Sequence, residues 1–76
     1  MNIRYSGKVQ NGTRCGIITY KRCEEEKALE VINAIENEGY AVNCISCDDT
    51  IEAYFSVFDN EEYDDVKEIY LEAKRA

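Results

Sequence analysis

The amino-acid sequence predicts an α+β fold: a two-layer ββαββα sandwich, with a four-stranded antiparallel sheet in the order 1-2-4-3 and two helices on one of its faces. Three observations lead there. Two pairs of short alternating apolar runs are each joined by a turn dipeptide, Asn11-Gly12 and Asp48-Asp49. Each pair is followed by a segment whose apolar residues recur at helical spacing. At 76 residues the chain makes one domain, 1–76, with one small core, which two layers suffice to enclose.

Ile3, Tyr5 and Val9 alternate in a first strand, and residues 14–20 form a second beyond Asn11-Gly12. Both turn residues accept the positive φ that a tight hairpin needs. A two-residue loop puts Ile3, Tyr5 and Val9 on the face of Ile18 and Tyr20, and puts Arg4, Ser6 and Lys8 with Cys15 and Ile17 on the other. A three-residue loop with a bulge would reverse the second strand's facings. In the two-residue register Gly7 stands opposite Gly16, a thin place in the ribbon.

Residues 24–38 form the first helix. Three glutamates at its start suit the positive end of the helix dipole, and Gly39 ends it. Ala28, Val31, Ile32 and Ile35 make the buried stripe, while Glu26, Glu30, Asn33 and Asn37 face water. Strands follow over 40–46 and 50–58. Tyr40, Val42 and Cys44 share a face with Ile51, Ala53, Phe55 and Val57, so both strands point at one core. Asn43, Ile45, Glu52 and Tyr54 lie on the opposite face. The last helix begins at Asp59, whose carboxylate caps it while Glu62 completes a capping box. Val66, Ile69, Tyr70 and Ala73, with Tyr63 at the edge, are its buried side.

The unit of second strand, first helix and third strand takes a right-handed crossover, with the fourth strand between the two. In topology this resembles a ferredoxin-like fold whose last strand has moved to the front, an arrangement that implies no activity.

The net charge of -7 is unevenly spread. Residues 1–23 carry five bases and no acid, and residues 24–76 carry all 16 acids against four bases, a block of -12. Such polarity bears on partners rather than on fold. No apolar run approaches the roughly 18 residues that span a bilayer, and the first ten residues lack the apolar core of a signal peptide. A cytoplasmic protein with reduced thiols is the expectation.

Cys44-Ile45-Ser46-Cys47 is a CxxC motif, and with Cys15 and Cys23 it offers four thiolates, enough for tetrahedral zinc. In an extended strand, however, residues three apart point to opposite faces, and Asp48-Asp49 disfavours thiolate. Packing cysteines are the stronger reading, zinc the alternative, and no cofactor is expected. The chain has no histidine and no glycine-rich phosphate loop, so no catalytic site is framed and the protein is read as non-enzymatic. Arg4, Lys8 and Arg14 raise the question of direct nucleic-acid binding. The hairpin lacks the central stacking aromatics of RNA-binding sheets, and the acidic block opposes phosphate, so none is expected.

Residues 59–74, DNEEYDDVKEIYLEAK, hold seven acidic side chains. Glu61, Asp65, Glu68 and Glu72 fall within a stripe roughly 60° wide, opposite the buried side, and Glu26 and Glu30 extend the charge on the first helix. A solvated, solubilising face is the bland reading. A surface of one sign also attracts Lys/Arg-rich proteins. Small acidic chains with rows such as Glu61, Asp65, Glu68 and Glu72 resemble phage and mobile-element inhibitors of host defence, the anti-CRISPR proteins. The resemblance implies a DNA-mimicking viral protein that fills a basic groove of a nucleic-acid-binding partner in the host cytoplasm. The alternative is a homo-oligomeric module joined through the open sheet face, where Arg4, Lys8, Ile17, Ile45 and Tyr54 supply polar and apolar contacts.

Overall fold

The computed structural model describes residues 1–10 and 13–76, and for residues 7–10 and 13 the backbone alone. The elements are β1 (Asn2–Gln10), β2 (Thr13–Lys21), a 3-10 turn (Arg22–Glu24), α1 (Glu25–Asn37), β3 (Val42–Cys47), β4 (Thr50–Val57) and α2 (Asn60–Arg75). All strand pairs are antiparallel, in the order β1-β2-β4-β3. Both helices bury their apolar stripes against the same sheet face. The predicted ββαββα sandwich is the observed one.

The Asn11-Gly12 turn lies outside the described residues. Beside it, Gln10 pairs with Thr13 and Val9 with Arg14, the register of a two-residue loop. Between Val9 and Ser6 the pairing slips, so that Ser6 meets Cys15, Tyr5 meets Gly16 and Ile3 meets Ile18. A slip of two residues preserves every facing, because side chains alternate with a period of two. Gly16 therefore stands opposite Tyr5 instead of Gly7, and no thin place results. The Phe55 ring, one strand over, occupies the space that a side chain at position 16 would take: a Cβ there would lie 2.0 Å from Phe55 Cζ. Tyr63 of α2 stacks on Phe55 at 6.2 Å between centroids and meets Tyr5 at 4.9 Å. Three rings thus close this end of the core.

The helix stripes are as predicted. Ala28, Val31, Ile32 and Ile35 of α1 and Val66 and Tyr70 of α2 are buried, with Tyr63, Ile69 and Ala73 partly so. Burying a side chain the size of valine or isoleucine contributes about 1.5–3 kcal/mol, so this stripe supplies much of what holds the layers together. The Tyr70 hydroxyl is buried with no hydrogen-bond partner among the described residues, and the Lys74 ammonium sits over its ring at 5.6 Å. Asp59 caps α2 by accepting from the Glu62 backbone N–H at 3.0 Å. Gly39 ends α1 at φ +98, where a side chain would be strained.

α1 starts one residue later than predicted, because residues 22–24 tighten into the 3-10 turn. The Glu24 carboxylate accepts from the Lys21 backbone N–H at 3.0 Å and from the N-terminal ammonium at 2.8 Å, tying the start of β1 to this turn. Arg22 braces the loop between β3 and β4 through the Asp48 and Asp49 carbonyls, at 3.2 and 3.3 Å. Both strands of the second hairpin turn a face to the core as expected: Tyr40 and Val42 pack against it, and Cys44 lies on the same side, level with Ala53 of β4. β3 begins at residue 42 and lies at the sheet edge, and its residues beyond Val42 are exposed.

Candidate protein-binding face

The acidic row is a property of α2, so its geometry follows from the helix. Val66 and Tyr70 set which side is buried, and Glu61, Asp65, Glu68 and Glu72 then project from the opposite side, all four exposed. From Glu61 to Glu72 the row runs about 16 Å at the helical rise of 1.5 Å per residue. Among the described residues, none of the four carboxylates has an ion-pair or hydrogen-bond partner. The row is brought together as the spacing predicts, and among the described residues nothing neutralises it from within.

α1 and α2 run antiparallel: Lys27 near the start of α1 reaches the Ala76 carbonyl at the end of α2. A groove of about 440 Å³ lies between them, with Ala34, Ile69 and Ala73 as its apolar lining and Glu38 and Glu72 at its lips. The end of α1 thereby meets the middle of α2. Burial raises the pKa of the Tyr40 hydroxyl at this junction, and the carboxylates of Glu62, Asp65 and Glu38 raise it further. Glu38 and Glu62 thus belong to the same negative field, two groups that the stripe on α2 alone does not indicate. A signal for Glu38 does exist in the sequence. Glu36 and Glu38 sit at the negative end of the α1 dipole, whose last turn has no base, where helix electrostatics disfavour them.

The extension onto Glu26 and Glu30 is weaker than the spacing implies. Both are exposed, but Lys27 lies between them and pairs with Glu30 at 3.3 Å. Antiparallel packing also sets this end of α1 beside the last turn of α2, which carries Lys74 and Arg75. The uncompensated charge is concentrated on α2 and at the Glu38 end of the groove.

The open sheet face differs from the apolar patch expected of it. Ile17 is only 6% exposed: it is flanked by Arg4 of β1 and Tyr54 of β4, and Arg4 reaches diagonally across β2 to Glu52 at 3.2 Å. Glu52 also accepts from the Tyr54 hydroxyl at 3.1 Å, a bond that, ahead of burial, raises the tyrosine pKa. Ile45, 51% exposed, remains as the apolar side chain presented there; the Lys8 side chain lies outside those described. Arg14 leaves the basic ribbon altogether: it falls on the helix side, beside Val57, and donates to the Tyr5 hydroxyl at 3.4 Å.

The four thiols do not converge. Cys15 and Cys47 lie on the open face, Cys44 on the helix side next to Tyr20, and Cys23 in the 3-10 turn. Among the described residues no group of three metal-binding side chains forms, and no helix is long and apolar enough to cross a membrane. No protein-family model, curated protein or solved structure matches this chain, so the reading of its function rests on the surface just described.

Proposed function

We infer that this chain is a non-catalytic binding module whose helical face docks in a basic groove of a nucleic-acid-binding protein and excludes the nucleic acid, in the manner of anti-CRISPR-like inhibitors. The observation that carries the reading is the row Glu61, Asp65, Glu68 and Glu72, exposed along one side of α2 with no internal counter-ion among the described residues. Carboxylates spaced about 4.5–6 Å along a helix axis offer a cationic groove a series of charges similar to a phosphate backbone. Glu36 and Glu38 support it, since they place acid where the α1 dipole disfavours it. Folding alone gives no reason for that choice.

The test is capture from host lysate, followed by release with salt or with competing DNA or RNA. The expected catch is a Lys/Arg-rich nucleic-acid-binding protein that both agents displace. The variant carrying Glu61→Lys, Asp65→Lys, Glu68→Lys and Glu72→Lys should keep its circular dichroism spectrum and capture nothing. Binding indifferent to salt, or undiminished in that variant, rejects the reading.

A further inference from the structure

The two edges of the sheet are built differently. β1, at one edge, carries Arg4 and Lys8 and breaks its pairing between Ser6 and Val9. Charge and irregular pairing are the usual means by which an edge strand is kept from recruiting another. β3, at the other edge, reads VNCISC. It has no charge, proline, glycine or register shift along its pairing with β4. Among the described residues it is the one strand or helix without a charged residue, in a molecule where a third of the residues are charged.

Its free hydrogen-bonding groups can be assigned. The loop of Asp48 and Asp49 is flanked by the pair Cys47 and Thr50, and the pair closing a two-residue hairpin exchanges both backbone hydrogen bonds. On the other side of β4, the Arg22 N–H donates to the Asp49 carbonyl, which turns Thr50 toward β3 in agreement. Alternation then directs Asn43, Ile45 and Cys47 at β4, and leaves the N–H and C=O groups of Val42, Cys44 and Ser46 directed away from the sheet. Among the described residues, no backbone hydrogen bond from outside the sheet reaches Val42–Cys47.

We propose that two copies of this chain pair antiparallel through β3, about a two-fold axis at Ile45, to form a continuous eight-stranded sheet. The occupant is a second copy for two reasons. An antiparallel strand pair about a two-fold is self-complementary. A molecule with net charge -7 meets its own copy with least repulsion through an edge that carries no charge, and β3 is such an edge, whereas a basic partner is drawn to the acidic helices instead. With the axis at Ile45, Cys44 lies opposite Ser46 of the second copy, and the outward-directed groups meet one another. The two Ile45 side chains become a close non-hydrogen-bonded pair, about 4.5 Å between Cα atoms, on the open face. That gives the exposed isoleucine a buried position.

The proposal stands apart from the acidic-row reading, because substitutions in β3 leave α2 untouched. Sedimentation equilibrium of the reduced protein should give a dimer whose association strengthens as salt is raised, since like-charged subunits repel less when screened. Ile45→Lys places two like charges face to face, and should weaken the dimer at least tenfold while leaving the thermal unfolding of the monomer unchanged. Asn43→Lys, also exposed on β3, is the second variant should the first fail to fold, and should weaken the dimer in the same direction. A wild type that stays monomeric at millimolar concentration overturns the proposal. So does a dimer that salt dissolves, or one that the folded lysine variants leave intact.

Discussion

Gly16 is required by a neighbour's ring and not by its own backbone. A methyl at this position would meet Phe55 Cζ at 2.0 Å, and Phe55 is in turn held by Tyr63 of α2. Gly16→Ala should therefore destabilise by about 1–3 kcal/mol as overpacking does, and change the near-ultraviolet circular dichroism of the Tyr5, Phe55 and Tyr63 cluster. Combining it with Phe55→Leu should recover part of the loss, a coupling that a double-mutant cycle measures. Glu24 is the second residue with a consequence of its own. The hydrogen bond from the N-terminal ammonium and, next, that from the Lys21 N–H hold its carboxyl below the usual glutamate range. A carboxylate with a lowered folded-state pKa stabilises above its unfolded value, about 4.3, and that contribution is lost as pH falls through the folded value. Glu24→Gln should lower the urea midpoint at pH 7 and converge with the wild type in acid. A constant difference across that range would show that the ionised form is not what matters.

At the scale of elements, α1 and α2 use acid in opposite ways. α2 begins with Glu61 and Glu62 and ends with Lys74 and Arg75, in agreement with its dipole, whereas α1 begins with Glu25 and Glu26 and still has Glu36 and Glu38 at its end. Glu38→Lys should raise stability by about 0.3–1 kcal/mol, visible as a shift of several degrees in the unfolding midpoint for a domain of this size. If the Glu38 end of the groove contributes to binding, the same variant should weaken partner capture. A gain in one with a loss in the other separates a functional charge from a structural one. The elements were largely legible in the sequence. The stripe Ala28, Val31, Ile32 and Ile35, the Asp59 cap and the alternation of β4 all follow from local periodicity and capping chemistry. The slip between Ser6 and Val9 was not legible, because a shift of two residues leaves the alternation of side chains along both strands unchanged.

At the scale of the whole molecule, the separation of charge into a basic first hairpin and an acidic remainder is only partly preserved in space. Arg4 is held by Glu52 and the N-terminal ammonium by Glu24, while the row on α2 has no ion-pair partner among the described residues. Capture by that row should therefore weaken steeply with salt, and the proposed β3 dimer should strengthen under the same change. Opposite salt dependences in one preparation would locate the two events on different surfaces. Were both to weaken together, the hairpin of one copy pairing with the helix of another would account for them more simply.

The sequence by itself determined the order of elements, the sheet topology and the exposure of Glu61, Asp65, Glu68 and Glu72, because periodicity and handed crossovers act locally and leave few alternatives. Tertiary structure alone decided that Ile17 is covered, that Glu38 joins the α2 field and that most of β3 is left exposed. Those outcomes depend on which side chains meet across strands and helices distant in the chain. No spacing along the chain encodes that.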